Sequence, residues 1–251
     1  MVEQFWYLAW AAASGPTPVE DAVARCEWIL AQAGGDAAVE GHTKYALATL
    51  EAKRGRFDQG RQLAENALAV FEETGMAFAV WYPLCRGTVE LLAGDDAAAE
   101  RELRRSFEPL EAMSDFPSLA NAAALLASLL VKQGRLEEAD DLVAQARDWA
   151  PKDQPIQHAR WRAAQAGLLA RRADQRAEPL AREAVALAEQ TDFLELQGDC
   201  LLALADVLRF ADRDRDATEA LEQALVLYER KGNVVLAERA RALLANVSSA
   251  R

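Results

Sequence analysis

Histidine is almost missing from this chain: His42 and His158 are the only two in 251 residues. Neither has a second His or a Cys at metal-ligand spacing, so no metal ligands are expected. The three cysteines, Cys26, Cys85 and Cys200, are far apart and form no CxxC pair. They read as small buried hydrophobes of a reducing compartment, which makes a cytoplasmic location the expectation. Ser14 and Ser128 have no His nearby in any plausible register, which leaves a hydrolytic triad unsupported. The stretch GDAAVEGHTK, from Gly35, faintly imitates a phosphate loop. Its spacing is one residue too long, His42 stands where Lys belongs, and no strand precedes it. Asp95-Asp96 and Asp212-Asp214-Asp216 bring carboxylates together, but at turns and helix starts, where they favour the helix dipole. The expectation is a chain with no catalytic residues and no cofactor, and not an enzyme.

Positive charge is also in short supply, with 28 Lys and Arg against 40 Asp and Glu and a net charge of −12. That disfavours a surface that tracks phosphates, so no direct nucleic-acid partner is expected. It equally disfavours an anionic membrane surface. Val-Ile-Thr runs at strand spacing are missing, while Ala, Leu, Glu and Arg, all good helix formers, dominate. An all-α protein follows, and 51% hydrophobic content supplies a substantial core.

Long apolar runs are lacking too. The longest near the start, Phe5 to Ala13, is far too short to span a bilayer. A secretory signal needs a positive start. Here no Lys or Arg precedes Arg25, and Glu3 has the wrong sign. The opening therefore reads as a helix followed by a second helix. Thr17-Pro18-Val19-Glu20 reads as a capping box with Pro18 at the first helical position.

What the chain has is a repeat. GRFDQGRQLAENAL from Gly55, GDDAAAERELRRSF from Gly94, GRLEEADDLVAQAR from Gly134, RADQRAEPLAREAV from Arg172 and DRDRDATEALEQAL from Asp212 share a pattern. Each carries a small residue, Gly60, Ala99, Ala139, Ala177 or Ala217, at spacings of 39, 40, 38 and 40. Seven residues on comes another: Ala67, Ser106, Ala146, Ala184 and Ala224. Two small residues on one helical face let a neighbouring helix approach closely, and their recurrence marks a helical repeat array. Ala22 continues the series backwards, so the N-terminal stretch is itself repeat. The periodicity predicts six helix pairs, over approximately 2–33, 36–74, 76–113, 117–149, 155–190 and 193–231, and a terminal helix over 234–247. Asn233 is placed to cap the last helix after Gly232 ends its predecessor. No linker divides the chain, so a single domain over 1–251 is expected.

The turn followed by paired small residues resembles the tetratricopeptide repeat (TPR), though with a period longer than 34. Trp6 and Trp161 stand where that motif favours Trp, and Pro83 replaces it in the third pair. Leu47-Ala48, Leu126-Ala127 and Leu204-Ala205 keep its leucine-small pair. Stretches such as VELLAGDDAAAERELRRSFEPLEAM and ALVLYERKGNVVLAERARALLA also look like the C-terminal TPR region of actinobacterial signalling proteins. Those proteins carry an adenylate/guanylate cyclase-like domain and a STAND/AAA-type ATPase ahead of the array. Nothing here matches either enzyme, so neither activity is carried over. The resemblance implies a right-handed TPR-like α-solenoid acting as a sensor or scaffold arm, with a cyclase-like or ATPase domain as partner in cis or trans.

The resemblance further implies that the first helix of each pair lines a concave groove, with ligand contacts one turn apart. The positions are His42, Tyr45, Thr49 and Lys53 in the second pair, and Trp81, Leu84 and Thr88 in the third. The fourth offers Asn121, Ser128 and Lys132, the fifth Arg162, and the sixth Asp199, Asp206 and Arg209. This stripe is polar on otherwise Ala/Leu-rich helices, and ordinary solvated surface is the alternative to binding. Lys53 and Lys132 at one end, with Asp199 and Asp206 at the other, would orient an extended segment. The expected function is a non-catalytic interaction scaffold or sensor holding a protein or peptide partner, in signal transduction or transcription regulation. The alternative is a small-molecule effector sensor with Trp81, Tyr45 and Arg162 as its pocket. The apolar Phe5, Trp6, Tyr7, Leu8 and Trp10 point to a homodimer contact or to preceding chain, because a solenoid end needs a polar cap.

Overall fold

The computed structural model describes the backbone of residues 3–249 and the side chains of residues 7–247. The described residues are almost wholly helical. α1 (Glu3–Ser14) and α2 (Val19–Gln32) form the first pair, α3 (Ala37–Lys53) and α4 (Phe57–Glu73) the second. In the third, a 3-10 turn at Ala77–Trp81 leads into α5 (Tyr82–Ala93), which is answered by α6 (Asp96–Arg105) and α7 (Phe107–Ala112). Then come α8 (Phe116–Lys132) with α9 (Leu136–Trp149), and α10 (Pro155–Arg171) with α11 (Ala177–Ala188). α12 (Leu194–Phe210) pairs with α13 (Asp214–Lys231), and α14 (Val234–Ser249) closes the chain. Among the described residues six helix pairs and a C-terminal helix are present, as the periodicity predicts.

Two local expectations need correction. The second helix of the third pair is broken into α6 and α7. Pro109 has no N–H to give to the Arg105 carbonyl, and Ser106 turns tightly instead, its N–H bonding Leu103 O at 3.2 Å. At the start of α2, Pro18 is the N-cap rather than the first helical residue, and no side-chain capping bond forms there. Glu20 pairs with Arg54 of the second pair at 2.9 Å.

The small residues explain the packing. Gly60, Ala99, Ala139, Ala177 and Ala217 are all buried, as are Ala67, Ser106, Ala146, Ala184 and Ala224. A methyl group added to Gly60 would lie 2.8 Å from the Ala48 carbonyl oxygen, so α3 and α4 touch backbone to backbone there. The turn inside a pair uses a left-handed residue: Gly55, Gly94 and Gly134, then Ala173 and Asp212 in the later copies. Asp36, Asp95, Asp115 and Asn233 accept from the backbone N–H three residues on and so start α3, α6, α8 and α14.

Contacts gather the chain into two compact units. The first holds the residues up to Pro109 together with Arg230–Leu236; the second holds Leu110–Glu229 and Ala237 onward. The first unit is knitted by two lysines. Pro16 cannot close on the carbonyl of Ala12, four residues back, so the end of α1 keeps orphan acceptors. Lys231, fully buried, donates to Ala12 O at 3.1 Å, Gly15 O at 2.8 Å and Thr17 O at 2.7 Å. Lys53 takes the Ala13 carbonyl at 2.7 Å. Val235 and Leu236 pack with Ala48, Ala52, Ala64 and Val89 in the same unit. In the second unit, Ala166, Ala181, Leu204, Leu208, Leu221 and Val247 belong to one core cluster.

Candidate functional site

In the first unit α3 carries the expected residues His42, Tyr45, Thr49 and Lys53. His42 lies among rings, with centroids 5.3 Å from Phe71, 4.5 Å from Phe78 and 5.7 Å from Trp81. Burial lowers its pKa to about 4, because the imidazolium would lose its hydration. Trp81 stacks on Phe78 at 5.5 Å with an interplanar angle of 13°. Tyr45 is buried beside Phe71, its hydroxyl has no hydrogen-bond partner, and burial pushes its pKa far above the usual phenol range. The Thr49 hydroxyl bonds back to Ala46 O at 2.9 Å, and that of Thr88 to Leu84 O at 2.9 Å. Lys53 is buried in the contact with α1 described above. The unit thus gathers His42, Tyr45 and Trp81 around Phe71 and Phe78, with Lys53 directed to a different place.

The unit also contains a charged cluster that the sequence reading did not single out. Glu90 on α5 is buried and accepts from Arg61 at 3.0 and 2.6 Å and from Arg86 at 2.7 Å. Those guanidinium bonds outweigh its burial, and its pKa is lowered. The arrangement ties α4 to α5 with every carboxylate oxygen satisfied, which is a structural staple.

In the second unit the first helices α8, α10 and α12 begin at residues 116, 155 and 194, which is a strict 39-residue step. Asn121, Arg160 and Asp199 therefore occupy equivalent positions on three successive helices, and α10 packs against both α8 and α12. The carbonyl oxygen of Asn121, the carbonyl oxygen of Gln157 and the Nε of Arg160 are all buried without a hydrogen-bond partner. The side chains carrying them are only half-buried. Asp199 accepts from the fully buried Tyr228 hydroxyl at 2.8 Å. Burial raises the Asp199 pKa; Arg160, the Tyr228 hydrogen bond and Lys132 act in the opposite direction. Gly198 makes this contact possible, since a methyl group there would come within 2.6 Å of the Tyr228 ring.

At the last residue of these helices the same step brings Lys132 and Arg171 into register, with Phe210 as the third member. Arg171, Asp206, Arg209, Phe210 and Asp214 line a depression of about 360 Å³. The Arg171 guanidinium lies 4.8 Å above the exposed Phe210 ring. Asp206 is water-accessible yet walled by protein on most sides; that incomplete hydration raises its pKa, while Lys132, Arg209 and Arg171 pull it down. Ser128, between these levels, bonds back to Ala124 O at 3.0 Å.

Of the residues expected from sequence, Asn121, Lys132, Asp199, Asp206 and Arg209 share this set of helices. Arg162 is on α10 but turned aside: it lies 4.1 Å over the Trp161 ring, contacts His158 and pairs with Glu183 at 3.3 Å. Arg160 and Arg171, not singled out from sequence, stand in its stead. Their 39-residue distance from Asn121 and Lys132 is the signal that identifies them.

Elsewhere on the surface, Tyr7, Trp10 and Trp28 are exposed on the first helix pair, while the side chains of Phe5 and Trp6 lie outside the described residues. Among the described residues no group of three His, Cys, Asp or Glu could hold a metal ion, and no helix is long and apolar enough to cross a membrane.

No protein-family model and no curated protein matches the chain. Solved structures do. BtubC (BKLC) from P. vanneervenii is 16% identical with a TM-score of 0.59, over 83% of this chain and 90% of that one. The apo form of RapI is 15% identical with a TM-score of 0.54, over 99% of this chain and 71% of that one. A putative kinesin light chain from Podosopora anserina, with nearly identical TPR-like repeats, is 18% identical with a TM-score of 0.49, over 74% and 93%. At such identities the likeness is one of fold, and the fold is that of an all-α, TPR-like helical repeat.

Proposed function

We propose that this chain is a non-catalytic interaction module that holds an extended polypeptide segment along α8, α10 and α12. The observation that carries the reading is the set of three unpaired polar atoms, on Asn121, Gln157 and Arg160, on neighbouring helices. Each stranded buried polar atom costs about 1–3 kcal/mol, and native proteins keep few of them. Two acceptors and one donor, on half-buried side chains, match the alternating N–H and C=O of an extended main chain. A signalling or transcription-regulating protein is the proposed context, and a cyclase-like or ATPase domain in cis or trans the proposed source of the segment, on the sequence resemblance alone.

The test is selection of a phage-displayed peptide library on the purified chain. Peptides should be enriched, and Asn121→Ala combined with Arg160→Ala should weaken the enriched peptides about tenfold or more, the equivalent of one to two stranded hydrogen bonds. Absence of enrichment, or equal binding by the double variant, refutes the reading.

A small-molecule effector site is the second reading. It rests on the ring cluster of His42, Phe78 and Trp81 beside the unpartnered Tyr45 hydroxyl in the first unit. Quenching of tryptophan fluorescence by a nucleotide or other aromatic effector, lost on Trp81→Leu, would favour it.

A further inference from the structure

We propose that the segment held in the second unit is acidic, with two carboxylates about three residues apart followed by an apolar side chain. This rests on the peptide-binding reading above and names the chemistry of its ligand. Most arginines in the chain are ion-paired, including Arg54, Arg61, Arg86, Arg135, Arg172 and Arg213. Among the described residues Lys132, Arg160, Arg171 and Arg209 close no ion pair; all four lie on α8, α10 or α12, with Asp199 and Asp206 within electrostatic range but not in contact. In a chain of net charge −12, with acids in excess, four cations on one set of helices keep their guanidinium and ammonium bonds open to a ligand carboxylate.

The cations are ordered as well as gathered. Lys132, Arg171 and Phe210 follow the 39-residue step, so they present themselves at one level on three adjacent helices. Packed helices are about 8–10 Å apart. An extended chain in the polyproline II form advances about 3.1 Å per residue and returns every third side chain to one face, so neighbouring helices are about three residues apart along a bound segment. Carboxylates at positions i and i+3 would meet Lys132 and Arg171, and an apolar residue at i+6 would meet the exposed face of Phe210. Arg209 lines the same depression and adds positive charge to it. Asp206 and Asp214 are there too. The lining is balanced, Arg171 and Arg209 against Asp206 and Asp214, and Lys132, which acts on Asp206 without lining the depression, makes the set positive. A small anion would use one of these levels; the repetition across helices requires a ligand with its own repeat, which is a polypeptide.

The experiment is the same library selection read by sequence. Enriched peptides should carry Asp or Glu at a spacing of three with a hydrophobic residue three further on, and their binding should weaken as salt rises. Lys132→Glu combined with Arg171→Glu, two exposed positions, should select peptides with Lys or Arg at those same two places. It should bind the original peptides about tenfold or more weakly. Enrichment of peptides without acidic residues, or an unchanged preference in the charge-reversed variant, overturns the acidic assignment while leaving peptide binding intact. No enrichment at all overturns both.

Discussion

Lys231→Met isolates a contact between residues more than two hundred apart in the sequence. The Lys231 ammonium is fully buried and reaches three backbone carbonyls, those of Ala12, Gly15 and Thr17. Methionine has nearly the same length and volume, so the packing around the side chain is kept. The change returns the ammonium to no one: its desolvation cost, several kcal/mol, disappears, and so do its three charge-assisted bonds, which are of similar total size. What remains is three carbonyls without a donor, at about 1 kcal/mol each on the low side. The expected loss is therefore about 3 kcal/mol. For a chain of this size that is a fall in melting temperature of about 6–12 °C.

The measurement is urea unfolding combined with hydrogen exchange resolved by peptide. Faster exchange should concentrate in α1 and at the start of α2, the segments whose carbonyls are stranded. Lys152→Met supplies the control, because Lys152 is exposed and lies in the loop before α10; its effect should stay within about 0.5 kcal/mol. If Lys231→Met stayed within about 1 kcal/mol of that control, or left α1 protected as before, the capping account of Lys231 would be refuted.

Three further changes test the local arguments. Ala173 holds the left-handed turn position that Gly134 holds one repeat earlier, at φ 54 against 77. Ala173→Gly should thus stabilise by about 1 kcal/mol in urea unfolding, and Gly134→Ala should destabilise by a similar amount. Gly198→Ala places a methyl group 2.6 Å from the Tyr228 ring and should cost about 1–3 kcal/mol, whereas Gly167→Ala meets only Val131 at 3.6 Å and should be neutral or stabilising; equal effects at the two sites would contradict the packing. His42 is lowered from 6.5 to about 4, so the unfolded chain takes its proton first as the pH falls. Stability is full above pH 6.5 and drops by about 3 kcal/mol on the way to pH 4, and His42→Leu should flatten that limb of the unfolding profile.

The repeat was legible because it is imposed by contact. Helices that touch backbone to backbone tolerate only small side chains, and the positions of Gly60, Ala99, Ala139, Ala177 and Ala217 recur for that reason. The break at Ser106 was less visible, since Pro109 near a helix start is ordinary and becomes a break only where a helix is already running. Arg160 and Arg171 were missed because the register was counted from the second helix of each pair, where the spacing wanders between 38 and 40. Along the first helices it is constant. Lys231 gave no signal at all: a side chain that caps a helix in a distant part of the chain belongs to no period.

The polar stripe read from sequence separates into residues that the fold accounts for and residues that it does not. Thr49, Thr88 and Ser128 have hydroxyls short enough to bond a carbonyl of their own helix, three or four residues back. Such residues sit on a helix face with every bond satisfied, and their polarity says nothing about a ligand. Lys53 answers an orphan carbonyl of α1. The Asn121 and Gln157 carbonyl oxygens have no such resort, because they are acceptors and the helix backbone offers only carbonyls, and the Arg160 Nε makes no such bond either. Lys132, Arg171 and Arg209 act on Asp206 without closing an ion pair on it. Subtracting the self-satisfied residues moves the weight of the binding argument from the stripe as a whole to α8, α10 and α12. Substitutions at Thr49 or Thr88 should leave peptide affinity unchanged, while those at Asn121 and Arg160 should not.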